Sequence, residues 1–270
     1  MIVRLQRLVA ISVATVAIGV ALAIALARRA DDEQVQCGPG FVRHRARCWP
    51  EGVDCPAPLH PTAHGCDAPD VRVLVPAATL TSGPSDWVGT DEPIRPLAIR
   101  VQAFRIDAFE VTRGQWSAAS DDPARAANGI ARPEAKAFCE SRGGRLPTEE
   151  EWVVAATSAM NPQRRYPWGD TGAVCRRAAW GLSAGPCARG ADGPDTVGTH
   201  PDGDTPLGLH DVAGNVAEWV AADPARPAIG VAKGGSWSAM LATDLRVLAR
   251  LELAPEVRDP RVGFRCAYPP

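Results

Sequence analysis

Apolar and polar residues alternate in two early stretches of the chain, which is the pattern of half-buried β-strands. Residues 71–75 alternate and end before Pro76, so they predict one strand. Residues 97–109 alternate over a greater length and predict one strand or two. Residues 79–91 contain the turn-forming sequence Gly-Pro-Ser-Asp and predict a loop between them.

After residues 110–112 the pattern changes from strand to helix. We expect a short helix that contains Trp116 and a second helix over residues 133–142. Pro133 suits the first helical position, and a Gly-Gly pair ends this helix. A third helix is expected to begin at Thr148, because Thr148 and Glu151 form a capping-box pair. The acidic residues 149–151 are interpreted as partners of the helix dipole and cap.

The chain shows little periodicity between residues 161 and 205, where Gly, Pro, Asp and Trp are frequent. A compact domain usually pins such a long irregular segment with a metal ion or a disulfide, and often uses it for function. Cys175 and Cys187 lie in this segment and are predicted to form a local disulfide. Closing strands are predicted within residues 234–237, 245–253 and 262–268.

Residues 8–27 form a run of 20 residues without a charge, preceded by Arg4 and Arg7. A helix of this length spans a bilayer, and the positive flank places its N-terminal side in the cytoplasm. We predict that this segment is an uncleaved anchor in the inner membrane of a bacterium. The remaining chain is then expected to be extracytoplasmic. The alternative is a cleaved signal sequence, because Ala25-Leu26-Ala27 resembles a cleavage site. The product would then be periplasmic or secreted.

The eight cysteines are an even number, which suits disulfides in an exported chain. The spacing of the first four indicates a duplicated loop unit, most simply bridged Cys37–Cys48 and Cys55–Cys66, although four cysteines allow three connectivities. The alternative is a zinc site, but the short pairwise spacing of zinc ligands is absent. The histidines available to such a site are His44, His60 and His64.

These features predict three segments along the chain. Residues 1–30 form a transmembrane anchor or signal sequence, residues 31–70 a cysteine- and proline-rich disulfide unit, and residues 71–270 a folded domain. The net charge of −2 gives no electrostatic basis for binding nucleic acid, so we expect no nucleic-acid partner.

Residues 208–219 carry two carboxylates, Asp211 and Glu218, on either side of a Gly214-Asn215 turn. Gly214 can take a positive φ, which lets the backbone fold back so that carbonyl oxygens converge with the carboxylates. A hard cation such as calcium prefers charged and main-chain oxygens from a flexible loop. The alternative is a turn between two strands with both carboxylates in solvent.

Five motifs occur in the order seen in the formylglycine-generating enzyme, or sulfatase-modifying factor, family, which the chain resembles over residues 71–268. They are Gly-Arg-Leu-Pro-Thr-Glu-Glu-Glu-Trp at 144–152, Tyr-Pro-Trp-Gly-Asp at 166–170, the loop at 208–219, Gly-Gly-Ser-Trp at 234–237 and Val-Gly-Phe-Arg-Cys-Ala at 262–267. The resemblance implies an α+β fold, a low-regularity variant of the C-type lectin fold with two helices beside small antiparallel sheets. It also implies a disulfide between Cys139 and Cys266.

The resemblance further implies a calcium loop in which two carboxylates and two main-chain carbonyls bind the ion. The implied ligands are Asp211, Gly214, Val216 and Glu218, with Gly214 and Val216 providing carbonyls. These residue types suit calcium, which is therefore the expected structural cofactor.

The catalytic positions of the family are occupied differently in this chain. Active members hold copper(I) with two cysteines, because soft thiolates suit that ion. Here those positions fall on Asp244 and Ala249, and Cys266 is the one cysteine that follows Cys187. Copper is not expected, and no catalytic residue is assigned.

The sequence therefore favours a non-catalytic member: a membrane-anchored domain, stabilised by disulfides and calcium, that binds a peptide, a glycan or a partner protein. The alternative is an oxidoreductase, either of the formylglycine-generating type or with altered metal chemistry. In that second form Asp244 would serve a different metal or an acid–base step.

Overall fold

The computed structural model describes residues 41–44, 47–50, 55–62, 65–82, 97–117, 120, 122–159 and 164–270. The chain divides into two compact units, residues 1–54 and 55–270. In the first unit the described residues form one antiparallel hairpin, β1 (Phe41–His44) and β2 (Arg47–Pro50). The predicted membrane span, residues 8–27, lies outside the described residues. None of the helices that are described is long and apolar enough to cross a bilayer.

The second unit contains short strands, three α-helices and two 3-10 helices within its described residues. The strands are β3 (His60–Thr62), β4 (Gly65–Asp67), β5 (Arg72–Val75), β6 (Ala78–Ser82), β7 (Leu97–Val101), β8 (Phe104–Asp107), β9 (Ala217–Trp219), β10 (Gly230–Lys233), β11 (Leu251–Leu253), β12 (Val262–Gly263) and β13 (Ala267–Tyr268). The α-helices are α1 (Arg113–Trp116), α2 (Arg132–Ser141) and α3 (Glu149–Ala156), and the 3-10 helices are Pro201–Gly203 and Ala242–Leu245.

The strands of the second unit form small sheets. The largest has the order β11-β10-β9-β12, in which β12 runs parallel to β9 and the other pairs are antiparallel. A three-stranded antiparallel sheet has the order β13-β8-β5. Two hairpins, β3-β4 and β6-β7, complete the set. Strand β13 follows β12 after three residues, so the end of the chain connects the two larger sheets.

Local sequence signals predict the helices well. The Thr148 side chain caps α3 by accepting a hydrogen bond from Glu151 N at 3.2 Å, and the Glu151 carboxylate accepts one from Thr148 N at 2.9 Å. Helix α2 begins at Arg132 with Pro133 at its start, and α1 contains Trp116 as predicted. The alternating stretch at residues 97–109 forms two strands, β7 and β8.

Two predictions about strands are wrong. Residues 79–82 belong to β6, not to a loop, because Ala78 and Leu80 pack against the core while Thr79 is exposed. Residues 234–237 do not form a strand: Gly234 and Gly235 have φ values of +92° and +74°, which turn the chain at the end of β10. Of residues 245–253, only the last three form a strand, β11.

Three disulfides cross-link the second unit. Cys55–Cys66, Cys139–Cys266 and Cys175–Cys187 are all formed, which confirms these predicted pairs. No free cysteine occurs among residues 55–270. The pair Cys37–Cys48 stays a prediction, because Cys37 lies outside the described residues.

The Cys139–Cys266 disulfide lies in the core between α2 and the start of β13. Both cysteines are fully buried, and they share an apolar cluster with Trp219 and Phe264. Phe264 also contacts the ring of Phe138 edge-to-face, with ring centroids 5.4 Å apart. The disulfide therefore joins the helix to the closing strand in a region already packed with aromatic side chains.

Candidate functional site

The predicted calcium loop is buried and tightly folded. Asp211, Gly214 and Asn215 have φ values of +52°, +88° and +53°, so the backbone reverses within a few residues. A side chain at Gly214 would place its Cβ 2.5 Å from the Ala179 carbonyl oxygen, which explains the need for glycine. Asp211 and Glu218 are 4% and 0% exposed. The alternative of two solvated carboxylates is therefore wrong.

Glu218 forms a buried ion pair with Arg265. Both carboxylate oxygens accept from the guanidinium at 2.8 Å, and Oε2 also accepts from Trp152 Nε1 at 2.8 Å. The other donors of Arg265 bind main-chain carbonyls, including that of His210 at 2.8 Å. Although burial disfavours its charge, the pairing with Glu218 raises the pKa of Arg265 above its ordinary value.

Glu110 belongs to the same buried network, which the sequence motifs do not predict. Its two oxygens accept hydrogen bonds from the Asn215 side chain and from Val216 N, the latter at 3.0 Å. Burial raises the pKa of Glu110 well above its ordinary value, and the charges of Asp211 and Glu218 raise it further. The one available signal was a single acidic residue inside the apolar run Ala-Phe-Glu-Val.

Asp211 connects the loop to the irregular segment that precedes it. Its carboxylate accepts a hydrogen bond from Gly198 N. Burial raises the pKa of Asp211, and the Gly198 bond and two nearby histidines, His200 and His210, lower it. His210 lies 2.9 Å from the Asp204 carboxylate. The loop thus combines three buried acids, Glu110, Asp211 and Glu218, with the single buried guanidinium of Arg265.

The loop offers the donor types that calcium prefers. The main-chain carbonyls of Gly214 and Val216 accept no hydrogen bond from the described residues, so both remain available to a cation. In this network the three buried acids outnumber the guanidinium of Arg265, so the network carries an excess of acidic groups. The described residues contain no cluster of three or more His, Cys, Asp or Glu side chains arranged to hold a metal ion. Calcium would therefore need main-chain oxygens in addition to carboxylates, and its binding stays a prediction.

A separate cavity of about 400 Å³, called here the β10–β11 pocket, opens beside the largest sheet. Its walls come from β9, β10, β11, the connection between β10 and β11, and Arg261 directly before β12. The polar side chains that line it are Ser236, Ser238, Asp244, Arg250 and Arg261, and the larger apolar ones are Met240, Leu241 and Leu251.

Asp244 and Ala249 both line the β10–β11 pocket. Asp244 lies in the second 3-10 helix, and Ala249 precedes β11. The structure therefore brings together the two positions on which the family resemblance places the copper-binding cysteines. None of the described residues that line the pocket is a cysteine.

Two of the three charges in this pocket are already paired. Arg261 binds Asp259 through two contacts at 2.9 and 2.7 Å, and Arg250 Nε lies 3.0 Å from the Glu149 carboxylate. Asp244 is exposed, and no ion pair or side-chain hydrogen bond involves it in the described part of the chain. The pocket therefore has one unbalanced charge, and it is negative.

Glu149 also reaches a buried lysine behind the pocket wall. Lys233 Nζ lies 3.4 Å from Glu149, and the Lys233 side chain is 1% exposed. Burial lowers the pKa of Lys233 to about 8, although Glu149 opposes this shift. Glu149 is thus more than a partner of the helix dipole, because it connects Lys233 to Arg250.

Comparison with known proteins defines the class. Residues 119–269 match the family described as sulfatase-modifying factor enzyme 1-like domain, and the chain belongs to this family. It is 36% identical over 143 residues to the mouse protein named inactive C-alpha-formylglycine-generating enzyme 2, covering 50% of this chain and 46% of the relative. It is 32% identical over 187 residues to the formylglycine-generating enzyme of Thermomonospora curvata, covering 60% and 61%.

Solved structures share the fold. Treponema denticola variable protein 1 superposes with a TM-score of 0.61 at 22% identity, over 74% of this chain and 95% of that one. PvdO from Pseudomonas aeruginosa gives 0.58 at 20% identity, over 81% and 100%. These matches confirm the predicted α+β fold, a variant of the C-type lectin fold. The chain spans about half the length of the mouse relative it matches.

Proposed function

We propose that the second unit is a non-catalytic binding domain and that the β10–β11 pocket holds a segment of a peptide ligand. The observation that carries this proposal is the lining of the pocket. A cavity of about 400 Å³ is lined by Asp244 and Ala249, the two positions on which the family resemblance places the thiolates of active members. Neither residue offers the soft thiolate ligand that copper(I) prefers.

The state of the cysteines supports the same proposal. All six cysteines in residues 55–270 are paired in disulfides, and Cys266 is bound to Cys139 in the core. Within residues 55–270, a free thiolate would require one of these disulfides to be broken. The uncharged run at residues 8–27 supports the further proposal that the domain is held at the outer side of a membrane.

The alternative function is an oxidoreductase with altered metal chemistry. The observation that favours it is the unpaired Asp244 carboxylate in a pocket that also contains Ser236 and Ser238. Ser236 and Ser238 are hydrogen-bonded to each other, with their oxygens 3.3 Å apart. One carboxylate and two hydroxyls are weak ligands for a redox metal, so the binding function is favoured.

Filling the pocket tests the binding function. The full-length protein is panned against a displayed library of random peptides, and selected peptides are measured by fluorescence polarisation. Ala249→Trp is expected to weaken binding by at least about tenfold, since a large ring would occupy the cavity. Ala225→Trp is the matched control, because Ala225 is exposed and lies outside the pocket.

Two outcomes would contradict this function. Equal binding by both tryptophan variants would place the ligand elsewhere on the domain. Oxygen uptake with a thiol peptide, lost in Ala249→Trp and kept in Ala225→Trp, would establish an oxidoreductase instead.

Calcium removal is expected to lower the melting temperature of the domain. A ligand at 100 times its dissociation constant stabilises the folded state by about 2.7 kcal/mol, so chelation should remove about that much. Asp211→Ala should abolish the response to calcium, whereas Asp244→Ala should keep it because Asp244 lines the separate β10–β11 pocket. The measurement is the difference between calcium and chelator for each protein. If chelator does not change the melting temperature of the wild-type domain, the loop binds no calcium.

A further inference from the structure

We propose that the β10–β11 pocket selects a basic side chain, a lysine or arginine of a peptide, flanked by an apolar residue. This inference rests on the proposed binding function and names the chemistry of its ligand.

The positive charges of the pocket are neutralised by neighbours outside it. The Asp259 carboxylate accepts hydrogen bonds from the Arg261 guanidinium. It also accepts one from Arg261 N at 2.8 Å, so both the side chain and the main chain of Arg261 are held. Arg250 lies between two acids, Glu149 at 3.0 Å and Glu252 at 3.5 Å. Neither guanidinium is therefore free to attract an anionic ligand strongly.

The negative charge of Asp244 has no such neighbour in the described part of the chain. A charge beside low-dielectric walls produces a stronger local potential than the same charge on a flat surface. The electrostatic preference of the pocket is therefore for a cation. An ammonium or guanidinium group could replace water around Asp244 and form a charge-assisted hydrogen bond.

The rim of the pocket is apolar and can pack against the uncharged part of such a ligand. Met240 and Leu241 line the pocket and are 56% and 62% exposed, which is a large exposure for apolar side chains. Lysine and arginine carry methylene stems that can cover apolar surface while the charged end stays polar. Methionine adapts its shape to different partners, so an apolar neighbour of the basic residue can pack on the same rim.

Three short peptides that differ at one position test this inference. Each carries a central lysine, norleucine or glutamate between leucines and a fluorescent label, and each is titrated with the full-length protein. The lysine peptide is expected to bind about threefold more tightly than the norleucine peptide, because solvent screens the exposed Asp244 carboxylate and limits the contribution of an ion pair. This advantage should shrink as ionic strength rises.

Two variants assign the preference to Asp244. Asp244→Asn should bind the lysine and norleucine peptides equally, with the norleucine affinity unchanged, and Asp244→Glu should restore most of the preference. Asp192→Asn is the matched control, because its side chain is 94% exposed and lies outside the pocket. Equal melting temperatures would show that all variants are folded.

The outcomes separate this inference from the proposed function. If wild-type protein binds lysine and norleucine peptides equally, or prefers the glutamate peptide, the selection of a basic group is wrong while peptide binding stands. If the preference for lysine survives in Asp244→Asn, another residue provides it and the assignment is wrong. If no peptide binds and Ala249→Trp changes nothing, the proposed function itself is wrong.

Discussion

Glu218→Ala is expected to lower the free energy of unfolding by about 3–5 kcal/mol, measured by urea denaturation in the presence of chelator. The side chains of Glu218 and Arg265 are each 1% exposed, so removal of the carboxylate leaves a buried guanidinium without its counter-charge. Trp152 Nε1 loses its acceptor in the same change. Buried donors left unsatisfied carry a further cost, which explains why the loss exceeds that of a surface pair.

The control for this variant is an exposed ion pair on α2. Lys136 and Glu140 are 2.6 Å apart, and their side chains are 63% and 53% exposed. Glu140→Ala should change stability by less than about 0.5 kcal/mol, because solvent screens such pairs. Similar losses for Glu140→Ala and Glu218→Ala would show that the buried pair contributes no more than a surface one. The double variant Glu218→Leu/Arg265→Met should recover part of the loss, since it removes both charges.

Replacing Cys139 and Cys266 together by alanine is expected to cost the most stability among the disulfide variants. The pair has a sequence separation of 127 residues, and the chain-entropy model gives about 5 kcal/mol for a loop of that length. The sulfurs are also packed in the core, so their loss removes buried contacts. This cost is a large share of the roughly 5–15 kcal/mol that stabilises a typical domain.

The matched comparison is the local disulfide. Cys175 and Cys187 are separated by 12 residues, for which the same model gives about 3 kcal/mol. Urea denaturation of both double-alanine variants should therefore rank Cys139/Cys266 as the more costly removal. The reverse order would mean that strain or residual structure in the unfolded chain decides the effect, and that loop length does not.

The helices could be predicted from the sequence because their signals are local. Thr148 and Glu151 are three residues apart, and the capping box they form depends on nothing else. Strand β6 was missed because its partner β7 lies beyond residues 83–96 and its pairing is set by long-range contact. The Gly234-Gly235 turn was missed because two glycines permit several conformations, of which the surrounding packing selects one.

In the candidate site, too, the residues with local sequence signals could be predicted and those placed by long-range contacts could not. Asp211 and Glu218 could be found because both lie in one loop with a recognisable order of residues. Glu110 could not, because its role comes from a contact with Asn215 across 105 positions of sequence. Pairing of Glu149 with Arg250 likewise depends on the meeting of α3 with the start of β11. The net charge of the pocket depends on such long-range ion pairs, so it cannot be predicted from the amino-acid composition.

The buried position of Lys233 has a practical consequence for chemical labelling. The chain contains two lysines, Lys136 and Lys233, and only Lys136 has an exposed side chain, at 63%. An amine-reactive dye applied to the folded protein should therefore modify one lysine, on α2 and outside both the loop and the pocket. Covalent attachment to a sensor surface through Lys136 would leave the β10–β11 pocket open to solution. Modification of Lys233 would report that the domain has unfolded.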